Sequence, residues 1–436
     1  MAYFTVCFPS LWAQNQPESY IREGLENNES IRQQKFALQK SWYALKEAKS
    51  LFFPTMTTGV SYNLSDGGRT IAIPVGDMLN PVYTTLNQLT GTENFPQVNN
   101  MEEQLNPNNY YDARLRFSLP VFDAEIYYNK EIKKHSIQLE EIELRLFKRE
   151  LVKEIKIAYY QFAQAKEAVE IYRQALSLAE ENLRINRSLH RNEKINYTTV
   201  LRSENEVTKA ETMLASSLVI QQNSSAYFNF LLNKPLDSEI ICELPLVHRE
   251  ILSTSGEREE LSKLNTVQTV LILNKKLNKS FVYPKLRTFV DVGSQGFEWK
   301  INNKTAYYLF GISLEWNFSL GGKDIHKVKQ VRIEQEKLKS RIKQVEEQLN
   351  LQVSVARNSL TDAEQQYDAG LKQLTTAERY YREQMIIYKE GSLLYIEMLD
   401  AYNQYIQAKV EVNIARYAVY IKQAELERAN ASFNLQ

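Results

Sequence analysis

The chain has 436 residues, with 53 Lys and Arg against 53 Asp and Glu. This balance lacks the basic excess of a nucleic-acid binder, so no nucleic-acid partner is expected. Scarce glycine (14) and proline (11) argue against an all-β protein rich in turns, and the 26 tyrosines suit sites where a ring is wet at one end and apolar at the other.

Residues 1–13 read as the back half of a secretory signal, a short apolar run that ends on the small residue Ala13 before a polar stretch. Cleavage is expected after Ala13, although the usual basic start of such a leader is missing. Cys7 would leave with it. Cys242 then has no disulfide partner and reads as a small buried apolar residue. No apolar run reaches about 18 residues, so no transmembrane helix is expected.

The first repeat is read as 14–245. A helix leads to Phe52-Phe53-Pro54 and a strand over about 54–66, in which Met56, Thr58, Val60, Tyr62 and Leu64 share one face. A second strand, about 110–120, sets Tyr111, Ala113, Leu115, Phe117 and Leu119 against Asp112, Arg114, Arg116 and Ser118. Between them, Gly67 to Asn109 is rich in Asn, Thr, Gly and Pro and reads as a long surface loop. A helix follows over about 122–190, on the order of 100 Å long at 1.5 Å per residue. A return helix is expected over about 197–232.

The second repeat is read as 246–436, with strands at about 284–296 and 306–318, a long helix at about 323–388 and a return helix at about 394–430. In its last strand Tyr308, Phe310, Ile312, Leu314, Trp316 and Phe318 share a face. Its first strand is less clean, because Phe289 opposes Leu286, Thr288, Val290 and Val292.

A single offset of 198 relates the halves. It carries Tyr197, Leu201 and Asn205 onto Tyr395, Leu399 and Asn403. The heptad seam Ile155, Ala158, Phe162, Ala165, Val169, Tyr172, Leu176, Ala179, Leu183 maps onto Val353, Ala356, Leu360, Ala363, Tyr367, Gly370, Leu374, Ala377, Tyr381. Every mapped position is apolar or small, so the chain is a duplication. Strict alternation over roughly 10 residues is shown by a transmembrane β-strand and, more commonly, by a soluble sheet with one face on a core; the flanking helices, whose seams are already used, favour the first. Four strands cannot close a barrel, and open edges are not tolerated in lipid, so such strands must oligomerise.

Several segments resemble the TolC-like outer-membrane efflux family. Trp316-Asn-Phe-Ser-Leu-Gly-Gly322 is similar to its exit from the fourth strand, and Leu119-Pro-Val-Phe-Asp123 to the first-half equivalent. Tyr227 to Pro235 resembles its Leu-Leu-Gly-x-Pro motif, with Asn233 in place of glycine. The segment Tyr388 to Ala401 resembles the second-half periplasmic tip. The resemblance implies a mainly α fold with a β-barrel segment. In it, a duplicated helix–strand–strand–helix unit forms, as a homotrimer, a 12-stranded membrane barrel and a long α-helical periplasmic barrel. It implies an exit duct in the outer membrane lipid, served by a periplasmic adaptor (membrane fusion protein) and an inner-membrane pump. It also implies a pore constriction at Glu397 and Asp400, whose spacing of three puts both carboxylates on one helix face. Tyr388, Gly391 and Ser392 become tip and gate residues, and Asn192, Tyr197 and Tyr395 adaptor-contact positions. Leu393 stands where some members carry a basic latch. Glu193 stands where the first-half tip glycine would align, so a less sharp or differently capped turn is expected there.

No nucleotide loop, HExxH, CxxC or G-x-S-x-G pattern is present, and His135, His190, His248 and His326 show no ligand spacing. No enzyme, metal site or cofactor is expected. The alternative reading is a soluble or secreted antiparallel coiled-coil scaffold. It explains the helices but not four alternating strands placed symmetrically in two repeats.

Overall fold

The computed structural model describes residues 16–242, 258–318 and 320–435. The expected leader at 1–13, the repeat boundary at 245/246 and His248 lie outside them. In chain order the elements are α1 (Gln16–Asn27), α2 (Glu29–Ser50), β1 (Thr55–Asn63), β2 (Thr70–Ile73), α3 (Val75–Thr90), β3 (Met101–Gln104) and β4 (Tyr110–Phe122). There follow α4 (Ala124–Arg191), α5 (Tyr197–Leu231), α6 (Glu259–Asn278), β5 (Lys285–Phe297), β6 (Ala306–Glu315), α7 (Lys323–Lys389) and α8 (Tyr395–Asn430). No described helix is long and apolar enough to cross a membrane.

The chain divides into two compact units. One comprises Ala44–Lys133 and Leu273–Val331, and the other the remaining segments, in which every described element is a helix. In the first unit the strands form an antiparallel sheet of order β1-β4-β5-β6. The registers Thr58↔Leu115, Leu115↔Val292 and Val292↔Tyr308 put the apolar sets of all four strands on one face. That face is open: Val60, Val292, Tyr308, Phe310, Ile312 and Leu314 are all exposed.

The opposite face is polar and internally paired. Arg116 Nε and Nη2 donate to the two carboxylate oxygens of Asp291 at 2.7 and 2.6 Å, and the Tyr307 hydroxyl donates to Asp112 at 3.1 Å. Phe289, the residue that broke the alternation, lies on this face for a local reason. A Cβ on Gly311 opposite it would fall 2.4 Å from the Phe289 ring, so the ring fills the space glycine leaves. The Arg116 guanidinium caps the same ring at 4.7 Å.

The register fixes both ends of the sheet. Thr55 pairs with Ser118, and Lys285 with Glu315, so all four strand–helix junctions share one end. There Phe52, Phe53, Tyr283, Trp316 and Phe318 are exposed. At the other end Trp299 stacks between Tyr62 and Tyr111, at 5.4 and 5.0 Å.

The segment between β1 and β4, expected as an irregular loop, instead carries β2, α3 and β3, with β2 and β3 paired antiparallel. Its asparagines read as turn formers but act as backbone substitutes. Asn80 exchanges two bonds with the Val98 backbone at 3.0 and 2.8 Å, and Asn87 does the same with Phe95 at 2.8 and 3.1 Å.

In the helical unit no position of the α7 seam from Val353 to Tyr381 is exposed, and most of the α4 seam is buried. α4 and α8 lock the two halves together. Arg416 binds Glu167 at 2.9 and 3.1 Å, Asn413 donates to the Gln164 carbonyl at 3.0 Å, and Tyr160 stacks on Tyr420 at 4.9 Å. Cys242 is a free, half-buried thiol.

The Arg116–Asp291 pair generates a prediction because its partners differ in exposure, 40% for the Arg116 side chain and 2% for that of Asp291. Arg116→Ala removes two charge-assisted hydrogen bonds and the cap on the Phe289 ring and should cost roughly 2 kcal/mol. Asp291→Ala leaves a guanidinium that reaches water and should cost roughly 1 kcal/mol. Thermal or denaturant unfolding of the two variants checks the order; equal losses would contradict it.

Candidate functional site

The residues singled out for the site gather at two hairpin turns of the helical unit. α4 and α7 end 198 residues apart, at Arg191 and Lys389, and α5 and α8 begin 198 apart, at Tyr197 and Tyr395. The turns are closed by the same pair of backbone bonds. Glu193 N–H donates to the His190 carbonyl and Lys194 N–H to Leu189, at 2.9 and 3.0 Å; Gly391 N–H donates to Tyr388 and Ser392 N–H to Ile387, at 3.0 and 3.3 Å. These are the carbonyl-capping bonds of a helix C-terminus that ends in a left-handed residue.

Glycine adopts that conformation freely, and Gly391 has φ +80°. Glu193 is held at φ 56°. The expected blunter or differently capped first turn is therefore not found: the glutamate accepts the left-handed conformation and keeps both bonds. The far ends of α5 and α8 repeat the pattern, with Asn233 at φ 57° and Ala431 at φ 52°, again 198 apart.

A ring pair bridges each turn. His190 faces Tyr197 at 5.5 Å and Tyr388 faces Tyr395 at 5.8 Å. The pairs differ in burial. Tyr197 is exposed, whereas Tyr388 and Tyr395 are buried beside Met398, Ala401 and Tyr402. The Tyr395 side chain is therefore a packing group in this chain, and the surface offered there comes from the turn itself. Asn192, Gly391 and Ser392 are exposed, and Asn192 Nδ2 donates to the Ser188 carbonyl at 2.8 Å.

Glu397 and Asp400 are both exposed on the first turns of α8. Asp400 accepts a hydrogen bond from Gln404 Nε2 at 2.7 Å. Neither carboxylate has a cationic partner among the described residues.

Sequence reasoning missed a buried polar cluster behind these turns. The Tyr388 hydroxyl donates to Asn186 Oδ1, Asn186 Nδ2 donates to Ser203 Oγ, and Ser203 Oγ donates to the Thr199 carbonyl at 2.9 Å. The chain links α7, α4 and α5. Burial pushes the Tyr388 phenol up to about 12, so it remains a neutral donor at any physiological pH. The signal was available: continuing the three-and-four spacing of the α4 seam beyond Leu183 puts Asn186, a polar residue, at an interior position.

The sequence profile of the outer membrane efflux protein family matches residues 20–232 and 274–432. The chain belongs to that family. It is an outer-membrane efflux channel and not an enzyme; the scaffold reading has no support.

Solved structures with the same fold include the outer-membrane channel OprN, with a TM-score of 0.77 and 14% identity over 99% of this chain and 94% of that one. The outer membrane protein VceC of Vibrio cholerae gives 0.76 and 13% over 97% and 99%. The open state of the Neisseria gonorrhoeae MtrE outer membrane channel gives 0.74 and 16% over 95% and 88%. A sequence comparison with curated proteins found no match.

The left-handed glutamate supplies a test. Glu193→Gly should raise stability by roughly 0.5–1 kcal/mol, because it removes a left-handed side-chain penalty larger than the chain entropy it adds. Gly391→Ala should lower stability by a similar amount. Denaturant midpoints in detergent check both, and a destabilised Glu193→Gly would mean that the glutamate side chain itself holds the turn.

Proposed function

We propose that three copies of this chain form one continuous exit duct, passing cargo from an inner-membrane pump and periplasmic adaptor to the outside. Members of the family work with such adaptors and pumps. The observation that carries the trimer is the sheet: an open apolar face, with β1 and β6 as unpaired edges. Backbone groups in lipid must be satisfied within the protein. Pairing β1 of one copy with β6 of the next removes every edge, and three copies make twelve strands. The apolar face then meets lipid, and the Arg116–Asp291 face lines the lumen.

The helical unit supports the same assembly. α5 exposes Met213, Ile220, Tyr227 and Phe230, and α7 exposes Ile333, Leu351 and Val355. Apolar helix surface of this kind is what a neighbouring copy would cover. The segment from Gly67 to Asn109 sits at the sheet end opposite the helix junctions, which supports its placement at the extracellular mouth.

Glu397 and Asp400 are proposed to line the constriction. Three copies bring six carboxylates together without compensating cations, a device that draws cations in and turns anions away. Asn192, Tyr197 and Ser392, on the exposed turns, are proposed to meet the adaptor, together with the backbone around Tyr395. Gly391 gives the second turn its sharpness, and Tyr388 holds that turn from behind through Asn186. Replacing Glu397 and Asp400 together by Asn and Ala should weaken cation selectivity in bilayer recordings. Stability should change by only tenths of a kcal/mol, since both groups are exposed. Unchanged ion preference would mean that the carboxylates are a solvated face and not the constriction.

A further inference from the structure

The whole chain is electrically balanced, but the charge is not evenly spread. The four helix ends that join the sheet lie in 44–50, 124–133, 273–279 and 323–331, all within the strand-bearing unit. These short spans carry ten lysines against four carboxylates. Some of the charge is neutralised locally. Lys130 pairs with Glu131 at 2.9 Å and Lys327 with Asp324 at 3.9 Å, while Glu125 is taken by Lys285 at 2.6 Å. Lys49, Lys133, Lys276, Lys279, Lys323 and Lys329 have no carboxylate partner among the described residues, and all but Lys133 are exposed.

The position of this charge gives it meaning. The strand registers place all four junctions at one end of the sheet, so the six lysines lie at or within the first few turns of α2, α4, α6 and α7 beyond that end. Immediately toward the sheet is the exposed aromatic set Phe52, Phe53, Tyr283, Trp316 and Phe318. Trp316 donates its indole N–H to the Phe281 carbonyl at 3.2 Å, and its ring packs on Phe318 at 4.9 Å, both rings remaining exposed. Apolar strands, then aromatics, then flexible cations is the order in which a protein surface passes from hydrocarbon through the interface to headgroups. Lysine suits the last layer, because its alkyl stem lies along the apolar surface while the ammonium reaches outward.

We propose that this lysine collar binds the anionic phosphate headgroups of phospholipids in the periplasmic leaflet of the outer membrane, anchoring each protomer at a fixed depth. The occupant is a lipid surface and not an acidic protein. The charges are spread around four helices instead of being gathered on one face, and they sit against the aromatic layer. The inference rests on the outer-membrane location and is independent of the number of copies.

The test uses the full-length chain in neutral detergent, titrated with phosphatidylglycerol or phosphatidylcholine and followed by retained lipid in native mass spectra. Phosphatidylglycerol should bind in preference to phosphatidylcholine. Changing the six lysines to Gln should lower its apparent affinity by at least on the order of tenfold. Changing the same six to Arg should preserve the affinity. About 0.5 M salt should weaken binding to the unmodified chain, because exposed charges are screened within a few ångströms at that strength. If the Gln variant does not fold, the Arg variant and the salt series still decide. Equal retention of the two lipids would overturn the proposal. So would an unchanged affinity in the Gln variant, or inorganic phosphate competing as well as phosphatidylglycerol does, which would make the site one for free anions.

Discussion

A backbone in hydrocarbon has no water to bond, and every N–H and C=O must find its partner in protein. Much of this chain can be understood from that constraint. A four-stranded sheet satisfies its interior strands but leaves β1 and β6 with one unpaired side each. Its lipid-compatible face is a liability in water and an asset in a membrane. The opposite face could not tolerate lipid, and it neutralises its own charges through the pairs Arg116–Asp291 and Arg114–Asp112. Segregation of the two faces follows from the two-residue period of a strand; Phe289 is the apolar exception on the polar face, accommodated because Gly311 makes room for the ring.

Duplication lets one set of solutions serve both halves. The long helices α4 and α7 bury the same stripe, stop with the same pair of capping bonds and turn through the same left-handed residue. The halves then diverge where they differ in burial. Tyr388 and Tyr395 close the second turn as part of the core, with a neutral hydrogen-bond chain behind them. His190 and Tyr197 close the first as a surface feature, open to other molecules. Two turns of one backbone geometry thus differ in surface, one closed by buried rings and the other by exposed ones.

The mainly helical, duplicated plan was legible because its signals are local and periodic. A three-and-four spacing repeated at a fixed offset survives whatever the tertiary structure does, and period-two alternation marks both sheet faces. What was not legible depends on contacts across sequence. The asparagines at 80 and 87 carry a turn-forming composition, and only their pairing with Val98 and Phe95 makes the insert an ordered α/β element. Glutamate disfavours a left-handed backbone, so Glu193 suggested a different turn; the two capping bonds and the packing of both helices overrode that preference. Asn186 was passed over because it lies on a seam read for apolar residues, where a polar exception should have been taken as a sign of a buried network. Glu397 and Asp400 were marked by spacing and resemblance, and a single protomer displays them only as exposed carboxylates.

The proposed duct depends on completion of the open sheet by other copies of the same chain. Native mass measurement of the full-length protein extracted in mild detergent tests this most directly. The account predicts a stable species of three copies that persists on dilution and resists mild heating. A stable monomer or dimer under the same conditions would leave β1 and β6 unpaired in the membrane and would contradict it.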